Sequence, residues 1–225
     1  MVKLSTAETV HAHRLSLMAS AIALAACTPA LPPPPPLPDA SGGGGRILPD
    51  WRASITGQDR DRLNRIDAAW SLALEQARRQ EGSGDLASTG RLIDPNAALS
   101  NVAPPVGDYR CRTVKLGSQG GEQGLGYVVY GWFACRVEET PNGLKFIKLT
   151  GSQRPAGLLF PESDRRMVFL GSMALASEPP ANSYGQRPER DMVAVLERIE
   201  HRRWRLVIPW PQYESNLDLL DLVPA

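Results

Sequence analysis

The chain has 225 residues, and its 25 Lys and Arg nearly balance its 24 Asp and Glu, for a formal net charge of +1. That balance leaves no basic footprint for nucleic acid, and the length suits one domain with a tail. Three cysteines and three histidines are all the chain carries, which narrows metal and nucleophile chemistry from the start.

Residues 1–26 read as an export signal. Lys3 and Arg14 give a weakly basic start, and an apolar run from Leu15 to Ala26 follows. That run is too short to span a bilayer as a mature helix. It closes on Leu24-Ala25-Ala26-Cys27, which resembles the lipobox of bacterial lipoproteins. The resemblance implies cleavage before Cys27 and acylation of that residue, with several chains giving the firm anchoring that one chain does not. The residue after it is Thr28 rather than Asp, which in such lipoproteins implies the outer membrane, periplasmic side. The alternative is a plain secretory cut that leaves a free thiol. Without Lys3, Arg14 and Glu8, a chain beginning at Cys27 has 23 basic and 23 acidic residues.

Residues 27–48 read as a tether. Pro32 to Pro36 is an unbroken proline run that favours stiff polyproline II, and Gly42 to Gly45 is a flexible joint. A proline run also fits aromatic grooves, but directly after a lipobox the spacer reading is the simpler one.

Residues 49–105 read as a helical N-terminal segment. Thr56 and Asp59 form a weak capping signature. Leu63, Ile66, Trp70, Ala73, Leu74 and Ala77 then recur at helical spacing, with charges of both signs between them. A membrane-surface helix would carry a basic polar face, so mixed charge favours a helix covering a core. Gly82 and Gly84 end it. Asp94-Pro95 predicts a short second helix through about Ser100, with Asp as cap and Pro in the first turn.

Residues 106–225 read as β structure. Strands are predicted at Tyr109–Leu116, Tyr127–Val137, Leu144–Thr150, Gly157–Phe160, Met167–Ala174, Met192–Ile199, Arg203–Pro209 and Leu217–Val223. Short turns such as Pro141-Asn142-Gly143 join most of them. The expected fold is mainly β (α+β): an N-terminal amphipathic helix packed on an antiparallel meander of about eight strands. The meander closes as a small lipocalin-like barrel or folds as a sandwich. Closure would remove exposed edges. Trp132, Trp204 and Trp210 are expected in the core.

Chemistry is sparse. If Cys27 is lipidated, Cys111 and Cys135 remain, and an oxidising compartment favours a disulfide between two neighbouring strands. The alternative, a reactive or metal-binding pair, has no neighbouring His. After the signal only His201 remains, in a charged turn, and no cofactor motif is present. Gly117 to Gly126 is not a dinucleotide fingerprint, because it lies between strands. Acid/base work would have to use scattered carboxylates such as Asp164, Asp191, Glu197, Glu214 and Asp218. Two loop clusters stand out as candidate binding residues: Gln153 and Arg154 in Gly151–Gly157, and Tyr184, Arg190 and Asp191 at the end of the longest loop. The alternative for both is structural, with Arg154 and Arg190 pinning loops to the sheet.

The order Tyr109-Arg110-Cys111-Arg112, Phe133-Ala134-Cys135-Arg136, Gly151-Ser152-Gln153-Arg154-Pro155, Tyr184-Gly185, Arg190-Asp191 and Trp204-Arg205-Leu206-Val207 resembles an uncharacterised bacterial envelope family, domain of unknown function 4893. The likeness runs from about Trp51 to Ala225 and implies no activity or catalytic residue. A looser likeness in size and strand count to small periplasmic inhibitor barrels is analogy only. The reading that follows is a membrane-tethered, non-enzymatic binding, inhibitory or assembly module for an envelope protein or small ligand. A carboxylate hydrolase and a purely structural envelope protein are the alternatives.

Overall fold

Alternating polarity becomes a wall with two faces in the computed structural model, which describes residues 50–225. Three helices come first: α1 (Trp51–Ser54), α2 (Gly57–Asn64) and α3 (Ile66–Arg79). A two-residue strand β1 (Gly82–Ser83) and a 3-10 segment, Ala87–Ile93, follow. Eight long strands complete the chain: β2 (Gly107–Leu116), β3 (Tyr127–Thr140), β4 (Gly143–Lys148), β5 (Gln153–Pro161), β6 (Met167–Leu175), β7 (Asp191–Glu200), β8 (Arg203–Pro209) and β9 (Leu217–Pro224).

Each long strand pairs antiparallel with its sequence neighbour, and β2 pairs with β9, so the meander closes into an eight-stranded barrel. Strand β1 adds a short parallel pairing to β3. The expected eight strands are all present. Cys111 and Cys135 face the interior from β2 and β3 and form the expected disulfide, with Cα atoms 5.9 Å apart.

The interior is filled. Tyr109, Cys111, Cys135, Val137, Phe146, Phe169, Leu196, Leu206 and Leu222 pack there from seven strands. Edge-to-face pairs brace it, with Tyr109 and Trp204 centroids 6.1 Å apart and Phe146 and Phe169 6.3 Å apart. Room for the Phe169 ring comes from glycine: Gly157 and Gly171 are register partners. A Cβ on Gly171 would stand 2.3 Å from the Phe169 ring, and one on Gly157 2.3 Å from the Leu170 carbonyl.

The outer face holds a second core. Ala69, Trp70 and Ala73 of α3 meet Val114, Leu116, Val207 and Leu219 of the barrel wall. The Thr56 cap is as expected, its hydroxyl accepting from the Asp59 amide at 3.2 Å. The helix is not continuous, however. Arg65 separates α2 from α3, and there Trp210 donates to the Arg65 carbonyl at 3.1 Å while the Arg65 guanidinium lies over the indole.

Three further expectations need correction. Residues 94–100 make no second helix: Asp94 caps a single turn by accepting from the Asn96 amide at 2.9 Å, and Arg205 takes the Asp94 and Pro95 carbonyls. Those carbonyls would otherwise accept from the next helical turn. Trp132 is not core; it is 42% exposed on the outer wall. Residues 153–156, expected in a loop ahead of the predicted strand Gly157–Phe160, already belong to β5.

Ionic contacts lock the 3-10 segment and the residues after it to the wall. Arg205, fully buried, donates to Glu197 at 2.8 Å, to the Leu92 and Asp94 carbonyls at 2.7 Å each, and stacks on Trp70. Arg203 bonds Asp221 at 2.7 Å and the Thr89 carbonyl at 2.9 Å.

Candidate functional site at the barrel mouth

The β2–β3, β4–β5, β6–β7 and β8–β9 connections all lie at one end of the barrel, because successive strands alternate in direction. Below them the interior is apolar; at this mouth it turns polar. Lys115 and Asp218 face each other there as register partners on β2 and β9. The Lys115 ammonium sits 2.8 Å from Glu214 and 3.3 Å from Asp218. The Ser215 hydroxyl donates to the other Asp218 oxygen. Burial works against the Lys115 charge, but Asp218 and Glu214 outweigh it and raise its pKa. Burial raises that of Asp218, while the Lys115 hydrogen bond lowers that of Glu214. One cation thus holds two carboxylates pushed in opposite directions.

The loop that presents Glu214 is strained. Trp210 and Glu214 both have positive φ, at 48° and 74°, a costly backbone region for non-glycine residues. Gln119 helps hold it in place: its amide donates to the Glu214 carbonyl at 2.8 Å, and its side chain to the Pro211 and Ser215 carbonyls at 2.8 and 3.0 Å.

A second buried lysine lies at the same end. Lys148 donates to the Thr150 and Gln153 carbonyls at 2.8 and 2.9 Å, and its ammonium is 3.8 Å from the Phe133 ring centroid. Burial, with some repulsion from Arg154, pushes its pKa down to about 8.

The candidate binding residues divide. Gln153 joins the mouth beside Lys115 and hydrogen-bonds Glu214. Arg154 instead donates to the Gly151, Ala176 and Glu178 carbonyls. Arg190 bonds the Glu178 carboxylate at 2.7 Å. Together they staple one flank of the β6–β7 loop. Tyr184 staples the other: its hydroxyl donates to Asp59 at 2.7 Å and accepts from the Thr56 amide at 3.0 Å. Burial raises the Tyr184 pKa to about 12. Asp191, buried, accepts from the Gly185 amide at 3.0 Å with one oxygen, and the other has no partner among the described residues. Burial raises its pKa. Sequence reasoning missed Lys115, Lys148 and Ser215. For the two lysines the available signal was a charge in step with inward apolar residues, Tyr109 and Cys111 before Lys115 and Phe146 before Lys148; Ser215 carried none.

The mouth cavity is small, about 50 Å³, lined by Lys115, Gln153, Met173, Met192, Ile208 and Asp218 among others. His201 lies in the β7–β8 turn, at the opposite end of the barrel. Among the described residues no three His, Cys, Asp or Glu side chains gather as a metal site. Cys27 and the tether lie outside the described residues.

The family model for Domain of unknown function (DUF4893) matches residues 51–222. The chain belongs to this family. The match begins at α1 and ends within β9, so the DUF4893 unit takes in the helices and the barrel together. No curated protein and no solved structure matches the chain.

Proposed function

We propose that this DUF4893 protein is a lipid-anchored binding module of the bacterial envelope, held at the periplasmic side of the outer membrane, that engages an envelope partner through its outer surface. The observation that carries the surface reading is the filled interior. A small-molecule site takes roughly 300–1,000 Å³, against about 50 Å³ at this mouth. The anchor rests on Leu24-Ala25-Ala26-Cys27 and the Pro/Gly stretch behind it. The disulfide accords with an oxidising compartment.

Two measurements in bacterial cells test the proposal. The wild-type chain should incorporate labelled palmitate and sediment with outer membranes, and Cys27→Ala should abolish both. Label retained in Cys27→Ala overturns the anchor. Crosslinking from the outer wall in cells should give a discrete partner adduct that survives a Lys115→Met change at the mouth. A small molecule that co-purifies inside the barrel and raises its melting temperature overturns the surface reading.

The hydrolase reading draws on one observation, the convergence of Glu214 and Asp218. Both contact Lys115, so their oxygens lie within the distance that paired carboxylates need. Against it stand the ammonium between them and a cavity too small for a sugar ring. Glycan hydrolysis by the purified chain, lost in Glu214→Gln, would reinstate it.

A further inference from the structure

We propose that the outer wall carries a binding site for a phosphorylated ligand, built from Arg110, Arg112, Arg202, Arg203 and Trp132. These residues line an open groove of about 480 Å³ with Asp221 at its base. Four guanidinium groups against Asp221 and Glu200, both bonded to Arg203, leave the groove with a surplus of two positive charges, on a chain whose total is +1. A single carboxylate ligand would leave half of that surplus unmatched. A phosphate group, carrying up to two charges and several acceptor oxygens, matches it better.

The groove divides its labour. Asp221, fully buried, accepts from Arg112 Nε at 3.0 Å and from Arg203 Nε at 2.7 Å. These bonds fix both guanidinium planes, so little is lost in ordering them when a ligand arrives. Glu200 and the Thr89 carbonyl hold the remaining nitrogens of Arg203, while the terminal nitrogens of Arg112 stay unbonded among the described residues. Arg110 and Arg202 are exposed, and neither has a carboxylate partner among the described residues. Arg110 and Arg112 lie over the Trp132 ring, 5.2 and 4.8 Å from its centroid. The exposed part of that indole offers an apolar contact to whatever carbon skeleton bears the phosphate. Among the described residues the helices pack mainly on β2, β7, β8 and β9, so helix packing does not account for its position on β3. The site stands whether or not Cys27 is acylated.

The test titrates a hexose 1-phosphate, and separately inorganic phosphate, into the full chain at low ionic strength, read by calorimetry and tryptophan fluorescence. Wild type should bind saturably with one site. Arg110→Ala/Arg202→Ala should weaken binding at least tenfold at an unchanged melting temperature, and Arg79→Ala, which removes a distant exposed arginine, should not. A second arm sediments the full chain carrying Cys27→Ser with vesicles of phosphatidylcholine alone or mixed with phosphatidic acid. Capture by the acidic vesicles alone, lost in the double variant, puts the phosphate on a lipid headgroup; binding of the soluble sugar phosphate puts it on a glycan. No binding in either arm overturns the proposal, as does a double variant that binds like wild type or an equal loss in Arg79→Ala. None of these results bears on the palmitate or crosslinking measurements.

Discussion

Arg205→Ala should be among the most damaging single substitutions in the domain. Its guanidinium is fully buried and meets Glu197 through two nitrogens, at 2.8 and 2.7 Å, and the Leu92 and Asp94 carbonyls at 2.7 Å each. Truncation leaves Glu197, whose side chain is only 13% exposed, without its cation. Breaking a buried pair in this way costs about 3–5 kcal/mol. The orphaned carbonyls add to that, because unmet buried acceptors cost about 1–3 kcal/mol each where water does not reach them. Against the 5–15 kcal/mol that typically holds a domain, a loss of about 4 kcal/mol is severe. It corresponds to a melting temperature lower by roughly 8–16 °C for a domain of this size. The assay is urea unfolding of the full chain, with the exposed Arg79→Ala as the reference for a surface pair worth about 0.5 kcal/mol or less. Adding Glu197→Gln should recover about 1–2 kcal/mol, since the stranded charge is then gone. A cost below about 1 kcal/mol for Arg205→Ala, or no recovery in the double variant, would refute the reasoning.

Replacing both Cys111 and Cys135 by Ser should cost about 3 kcal/mol in the same assay, from a closed loop with a sequence separation of 24; an unchanged midpoint would show that the bridge contributes nothing. Gly157→Ala should cost at least about 2 kcal/mol, since the new Cβ meets the backbone of Leu170 and Gly171 at 2.3 and 2.4 Å with no side chain free to yield; a loss within about 0.5 kcal/mol would contradict the packing described. Lys148 has a native pKa lowered to about 8, below its unfolded value near 10.4. Between those values the unfolded chain binds more protons, so this residue makes stability rise with pH from about 8 to 10.4. Lys148→Met should flatten that part of the profile, as read by melting temperature against pH; a parallel profile would mean the amine is not desolvated.

The strands were legible because their signals are local. Pro141-Asn142-Gly143 and the Glu200–Arg203 turn each sit between runs rich in β-formers. Closure was legible only as a class, because the β2–β9 seam is a long-range choice that no local pattern states. The predicted second helix failed for a related reason. Asp94-Pro95 carries a sound local start signal, but Arg205, some 110 residues away, takes the carbonyls of both residues. The candidate site divided in the same manner. Gln153 and Tyr184 stood out in sequence, whereas Lys115, Glu214 and Asp218 gain meaning only when β2 and β9 lie side by side.

On β2 and β3, Arg112 pairs with Trp132 but Val114 pairs with Val129, so Thr113 alone faces both Tyr130 and Gly131. The extra residue reverses which side of β3 looks inward. Before it, Tyr127 and Val129 support the helical layer; after it, Phe133, Cys135 and Val137 line the lumen and Trp132 points to solvent. One inserted residue therefore lets a single strand bear a helix at one end and a bare arginine-flanked indole further along. Deleting Gly131 would drive Tyr127 and Val129 toward a lumen that has no room for them, or else turn Cys135 away from Cys111. The helix support, the disulfide and the exposed tryptophan thus share one dependence, on a count of residues rather than on any side chain.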